Sequence, residues 1–251
     1  MSEERDSAGR DATDSAAARR QQMVERQLVQ RGIRDPDVLA AMRAVPRHLF
    51  VPDDLTLAAY DDTPLPLGFG QTISQPYMVA LMTELLKVNV RSRVLDVGAG
   101  SGYQTAVLAE LVGEVYAVER IAALEGQARE RLARMGYGNV HVLLDDGSRG
   151  WPEHAPYAGI MVAAAAAQAP PPLLDQLAEG GRLVIPLGAA HTDQVLTVYE
   201  RRGSDFLVER SLRCRFVPLV GEASRDDGRR SGATGDDPGD EPPQSGRWDE
   251  V

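Results

Sequence analysis

Cysteine, aromatic residues and long apolar runs are all scarce in this sequence, and the scarcity excludes several classes of protein. The single cysteine, Cys214, cannot close an internal disulfide, and no Cys/His group has zinc-ligand spacing, so no metal site is expected. A reducing cytoplasm is the expected compartment. The longest apolar run, Ile160 to Ala167, is far too short to span a bilayer. The opening MSEERDSAGRDATDSAAARR has no apolar stretch of the signal-peptide kind, and its five acidic residues argue against organellar transit. Also lacking is a Lys/Arg stripe to interrupt the net charge of −10. Without that electrostatic footprint, nucleic acid and anionic membranes are disfavoured as partners.

What is present is an ordinary globular composition: 251 residues, 43% of them hydrophobic and 25% charged, enough for one α/β domain with a sizeable core. The charge is concentrated at the ends. Residues 222–251 hold nine acidic and four basic side chains and residues 1–22 hold five and four, leaving about −4 for the middle. Both ends are poor in residues whose burial offsets the entropy of ordering. The expected organisation is a disordered arm over 1–22, a folded domain over 23–221 and a disordered acidic tail over 222–251. A monomer is expected.

From about residue 90 onward, short apolar runs alternate with helical periodicity, which predicts a parallel sheet. Arg93 to Val97, Glu114 to Glu119, Val140 to Leu144 and Ile160 to Ala163 read as strands buried on both faces. Helices are predicted over Tyr103 to Val112, Ile121 to Met135 and Pro172 to Ala178. Beyond Gly180-Gly181, further strands are predicted over Leu183 to Pro186, Gln194 to Tyr199 and Phe206 to Phe216, the last entering antiparallel through a hairpin near Gly203. The first 90 residues differ. Asp35-Pro36 is a strong helix start, and after a Pro/Gly-rich loop (Thr63 to Gly70) a second helix follows TISQP, with Ser74 as its expected N-cap. Together these form a helical cap over residues 23–90, on a core of residues 91–221.

The sharpest local signal is LDVGAGSG, residues 95–102, a strand-to-helix turn with glycine at alternate positions. A dinucleotide fingerprint needs G-x-G-x-x-G, and the sixth position from Gly98 is Tyr103, so NAD and FAD are disfavoured. Asp96, Gly98 and Gly100 suit a ligand without a pyrophosphate, whose cationic amine Asp96 meets. S-adenosylmethionine has that shape and charge. Glu119, at the end of the second strand, is placed to take two ribose hydroxyls. Asp145-Asp146-Gly147, at the end of the third, offers an acceptor for an adenine amine. Taken singly, each has a blander reading: Glu119 as a solvated strand end, Asp146 as a turn-former, Ser74 as a cap. His48, Tyr77, Met78 and Trp151 read as structural, and Cys214 as a small buried hydrophobe.

The segments AMRAVPRHLFVP, AYDDTPLPLGFGQTISQPYMVALMTELL, VLDVGAGSGYQTAVLAEL, GWPEHAPY, GGRLVIPLG and FVPL resemble the protein-L-isoaspartate O-methyltransferases over about residues 23–221. The resemblance implies a class I S-adenosylmethionine-dependent methyltransferase: a Rossmann-like, mostly parallel sheet with helices on both faces. It implies methyl transfer to the free carboxylate of L-isoaspartyl residues in damaged proteins, the first step of their repair. By position, it assigns Ser74 as the active residue, and sets Thr72, Ile73 and Gln75 beside cofactor and substrate. Asp96, Gly98, Gly100, Glu119, Asp146 and Gly147 match cofactor positions, and Val217, Pro218 and Leu219 match a segment that contacts the substrate backbone. The sequence departs from the family in two places. Asp145 stands where Gly is usual, leaving open which Asp meets adenine, and Ala158 replaces an Asp near the fourth strand. Two alternatives keep the cofactor: an aspartyl methyltransferase dedicated to one precursor peptide, and a non-catalytic S-adenosylmethionine-binding module.

Overall fold

Short apolar segments between glycine-bearing turns build the sheet. In the computed structural model, which describes residues 15–189 and 193–223, β3 (Arg93–Val97), β4 (Glu114–Glu119) and β5 (Val140–Leu144) occupy their predicted ranges residue for residue. Four more strands complete the sheet: β6 (Tyr157–Val162), β7 (Leu177–Leu187), β8 (Gln194–Arg202) and β9 (Asp205–Cys214). The order is β5-β4-β3-β6-β7-β8-β9. The β5–β4, β4–β3, β3–β6 and β6–β7 pairs are parallel, and β7–β8 and β8–β9 are antiparallel. The chain runs outward from β3 to β5 and then returns to place β6 on the other side of β3. This reversal opens a crevice beyond the carboxyl ends of β3 and β6, the usual ligand position in such sheets.

Strand alternation divides the core between the two faces. Val94 and Met161 join a cluster that also holds α4 (Tyr103–Ala109), α3 (Pro76–Leu86) and the N-terminal helices, while Leu95, Val97, Ile160 and Val162 join a second one with Leu173 and Leu177. Helix α5 (Ala122–Arg134) packs Ala128 and Leu132 into the first cluster. Gly102 makes that packing possible: it starts α4 at φ +86°, and a Cβ there would lie 3.2 Å from Leu132 Cδ1.

Several expectations are corrected. β5 is the sheet edge and is only half-buried, so it is not covered on both faces. The predicted helix over Pro172 to Ala178 shrinks to α6 (Pro171–Asp175), because Leu177 already pairs with Tyr157, and Gly180-Gly181 lies inside β7 rather than in a loop before it. The sequence between residues 15 and 22 is not a disordered arm. It is helical, within α1 (15–23), which continues as a π-helical turn over Val24–Val29. The run SAAARR favours helix strongly. Arg19 fastens α1 by donating to Thr56 O (3.1 Å) and Leu57 O (2.8 Å), while Met23, Val24 and Leu28 are buried. Residues 1–14 and 224–251 lie outside the described residues.

The cap also buries a guanidinium. Arg47 is fully buried, donating from Nε to Ala59 O at 2.7 Å and lying over the Tyr103 ring, and desolvation lowers its pKa to about 10. His48 Nδ1 meets Tyr60 Oη at 2.7 Å, a structural contact as expected. Helix α2 (Pro36–Ala44) starts as the sequence dictates: Asp35 accepts from Asp37 N (2.9 Å) and Val38 N (3.3 Å). Asp35→Ala is expected to cost about 1 kcal/mol through loss of this cap. The check is the urea midpoint, which should fall without a change in slope.

Candidate active site

The crevice beyond β3 and β6 opens into a cavity of about 650 Å³, counting space continuous with solvent. Its walls come from six places: Gln71-Thr72, the glycine loop at Gly98 and Gly100, Glu119 to Ile121, Gly147, Ala163-Ala164, and Val217 to Val220. Gly98 and Gly100 hold φ values of +92° and +55°, conformations that a side chain disfavours. The loop is tied to β4, since Gly98 N donates to Val118 O at 2.8 Å.

Glu119 fixes the loop from the neighbouring strand. Its Oε2 accepts from Gly100 N and its Oε1 from Ile121 N, both at 2.9 Å, and the residue is almost wholly buried. A carboxylate has about four acceptor sites. Two are therefore left over on a residue that lines the cavity.

Asp96 is placed differently from the expectation. It does not line the cavity; it lies fully buried beneath the glycine loop, where Oδ2 accepts from the Thr105 hydroxyl at 2.6 Å. Among the described residues its Oδ1 has no hydrogen-bond partner. Burial pushes the carboxyl up to about 6; the Thr105 hydrogen bond opposes the rise and the Glu119 charge adds to it. A buried, under-satisfied negative group below a concave loop fits a ligand carrying positive charge.

Asp146 and Asp145 also lie off the cavity wall, although Gly147 is on it. A Cβ on Gly147 would come within 2.7 Å of Val97 Cγ1, so the chain there passes too close to β3 for any side chain. Asp146 Oδ1 accepts from Ser148 N (2.9 Å) and Ser148 Oγ (2.8 Å), and Oδ2 from Glu222 N (2.7 Å). Burial acts to raise its pKa, but these N–H and hydroxyl donors, with Arg149, hold it below the ordinary range. Asp145 accepts only from the N–H of Asp146 and stays exposed at the sheet edge.

Residues 217–223 form a strap across the cavity. Ala165 N donates to Val217 O at 2.8 Å and Leu219 N to Ala165 O at 2.7 Å, after which Glu222 N and Ala223 N (3.1 Å to Ser148 Oγ) reach the end of β5. Val217, Pro218 and Leu219 are therefore brought to the site. Glu222 and Ala223, expected in the tail, are anchored as well. Arg120, Ile121 and the strap beyond Leu219 were not singled out by the sequence. The acidic composition of the tail hid the strap, because its anchors are backbone N–H groups rather than side chains.

The β1 (Leu65–Gly68) and β2 (Gln71–Ile73) hairpin supplies the last wall and leads into Ser74. Ser74 is not the N-cap of α3. Pro76 sets the first helical position, so Gln75 is the N-cap residue, and its side chain makes no capping bond. The acceptor is distant: Asp62 Oδ1 takes Tyr77 N at 3.1 Å, while Oδ2 meets Gln75 Nε2 at 3.4 Å. Arg31, stacked on the Tyr77 ring, pairs with the same carboxylate. Among the described residues nothing hydrogen-bonds the Ser74 hydroxyl, which is half-buried. Thr72 is exposed and Ile73 buried. Met78 is packed in the core as expected, and Cys214 is half-buried, its thiol pushed up by burial to about 11.

A glycine loop at the switch point, acidic groups at the ends of successive strands and an antiparallel sheet end define a class I methyltransferase. The chain belongs to the protein-L-isoaspartate(D-aspartate) O-methyltransferase family, whose model matches residues 18–224. A Synechococcus sp. protein-L-isoaspartate O-methyltransferase is 52% identical over 216 residues, covering 84% of this chain and 88% of the relative. One from Methanoregula boonei is 54% identical, covering 81% and 93%. A solved protein-L-isoaspartate O-methyltransferase superposes with a TM-score of 0.73 at 28% identity, covering 82% of this chain and 67% of the other. A Plasmodium falciparum structure assigned to the family, in complex with S-adenosyl-L-homocysteine, gives 0.69 at 30%, covering 79% and 97%. The family is one of S-adenosylmethionine-dependent enzymes. These relatives do not favour the alternative of a methyltransferase dedicated to one precursor peptide.

The raised pKa of Asp96 has a consequence for stability. An unfolded Asp titrates near 3.9, so between about pH 4 and pH 6 the folded chain binds the extra proton. Stability from this group is therefore greatest below pH 4 and is lost as pH rises through 6. Without cofactor, Asp96→Asn should melt higher than the parent at pH 7.5, by on the order of 1–2 kcal/mol, and the gain should vanish near pH 4.5. Thermal denaturation at the two pH values checks this.

Proposed function

We propose that the cavity holds S-adenosylmethionine and that Ser74 orients the free carboxylate of an L-isoaspartyl residue for methylation, the step that starts repair of a damaged protein. The observation that carries this reading is the Ser74 hydroxyl. Among the described residues it has no hydrogen-bond partner, and it follows β2, two residues beyond Thr72 on the cavity wall. Glu119 takes the ribose hydroxyls with its two remaining acceptor sites. Gly98 and Gly100 let the backbone approach the amino acid part, and Asp96 adds negative potential from beneath. Gly147 backs the adenine, and Asp146, the residue before it, receives the amine. Thr72, Ile73 and Gln75 set the boundary between cofactor and substrate, while Val217, Pro218 and Leu219 border the substrate backbone. The compartment is the cytoplasm.

S-adenosylmethionine supplies an electrophilic methyl group on a positively charged sulfur. A carboxylate with a reference pKa near 4 is ionised at neutral pH, so the chain needs no strong base. Its residues instead contribute position: Ser74 donates its hydroxyl to one carboxylate oxygen and leaves the other directed at the methyl group. Asp62 and Arg31 hold the turn that carries Ser74, and the hairpin and strap exclude water from the transfer.

Methyl transfer is to be measured on paired peptides that differ only in an isoaspartyl or an aspartyl linkage. The isoaspartyl peptide should accept methyl and its isomer should not. Ser74→Ala should lower kcat about 10- to 100-fold, the worth of one or two hydrogen bonds to a charged group, and leave cofactor affinity within about twofold. Glu119→Ala should do the reverse. Equal methylation of both isomers would overturn the reading.

A further inference from the structure

The tip of the β1–β2 hairpin breaks the rule that governs such turns. Gly68 pairs with Gln71, which leaves Phe69 and Gly70 as a two-residue connection with φ values of +54° and +70°. Positive φ at both central positions is the type I′ pattern, and Asn-Gly, Asp-Gly or Gly-Gly fill it because a bulky side chain is strained there. Phenylalanine at the first position costs on the order of 1 kcal/mol or more. Packing gives nothing back. Phe69 is 60% exposed, and is the one aromatic among the exposed large hydrophobic side chains of the described residues.

The hairpin belongs to the site. Gln71 and Thr72 of its second arm line the cavity, and Leu67 of its first lies against the glycine loop, 3.6 Å from where a Cβ on Gly100 would stand. Phe69 is therefore an exposed ring at the tip of the hairpin whose second arm lines the cavity and leads to Ser74. From Gly70 at the tip to Ser74 is four residue steps, roughly 13 Å at ~3.3 Å per residue. An extended peptide whose modified residue sits at Ser74 covers that span with about four residues.

We propose that Phe69 is a specificity-determining residue that contacts an apolar side chain within four positions of the isoaspartyl residue in the substrate. The proposal rests on the reading of Ser74 given above. The strain at the turn keeps an aromatic ring at the rim, where the chain itself has no use for it. Phe69 thus favours stretches of polypeptide that were buried before damage loosened them.

The test uses the full chain, as parent, Phe69→Gly and Phe69→Tyr, on isoaspartyl peptides with a polar Gly/Ser background. One peptide is wholly polar, and eight others carry a single Phe at each of four positions on either side. Glycine relaxes the turn, so Phe69→Gly should melt at or above the parent temperature. At the best Phe position, the parent should show a lower KM than with the polar peptide. Phe69→Gly should raise that KM about five- to tenfold, the worth of one aromatic contact, and Phe69→Tyr should restore it. KM for S-adenosylmethionine, kcat, and KM for the polar peptide should move less than about twofold. Equal KM for polar and Phe-bearing peptides in the parent overturns the proposal, as does an equal loss on all peptides in Phe69→Gly; both outcomes leave the methyltransferase reading intact. Failure of the parent to methylate any isoaspartyl peptide overturns both.

Discussion

Each oxygen of Glu119 is held by a backbone N–H, one from Gly100 and one from Ile121, and the site depends on this arrangement. One side chain thereby fixes the glycine loop after β3, the exit of β4 and the acidic lip of the cavity in a single rigid unit. Two hydrogen bonds to a buried charge are worth more than two between neutral groups, and they prevent rotation of the carboxylate toward solvent. Asp96 lies below the same loop with one oxygen unpartnered, so two negative charges are confined to one small volume. A positively charged ligand in the cavity would relieve this repulsion.

The fold was legible where its physics is local. Strands β3 to β5 are short apolar runs between glycine turns, and their boundaries follow from those residues alone. The end of α6 and the start of β7 were not legible, because Gly180-Gly181 reads as a turn yet lies within a strand whose partner is β6. The start of α1 was hidden by charge. An Ala-rich segment with few apolar residues looks unable to fold, but Arg19 binds it to the carbonyls of Thr56 and Leu57, far along the chain.

The site was legible to a similar degree. Gly98, Gly100, Glu119 and Gly147 stand where spacing placed them, since strand ends in a parallel sheet converge on one edge. For Ser74 the residues read alone give an ordinary helix cap and only the family resemblance points elsewhere, while the distant Asp62, supported by Arg31, takes the capping role. A contact between residues 15 positions apart leaves no periodic trace in sequence. The roles of Asp96 and Asp146 also depend on such contacts, with Thr105 and Ser148 claiming oxygens that look free in one dimension.

The strap over residues 217–223 is hydrogen-bonded through its backbone, where Val217 and Leu219 bracket Ala165 and the N–H groups of Glu222 and Ala223 reach Asp146 and Ser148, while the side chains of Val217 and Leu219 also pack on the second core cluster. Beyond those two side chains, such a seam tolerates exchange. It does not tolerate a change of length, because adding or removing one residue between β9 and Leu219 would turn every inward side chain of the strap outward. Variation among descendants of this enzyme should therefore accumulate there as substitutions, while insertions and deletions are purged.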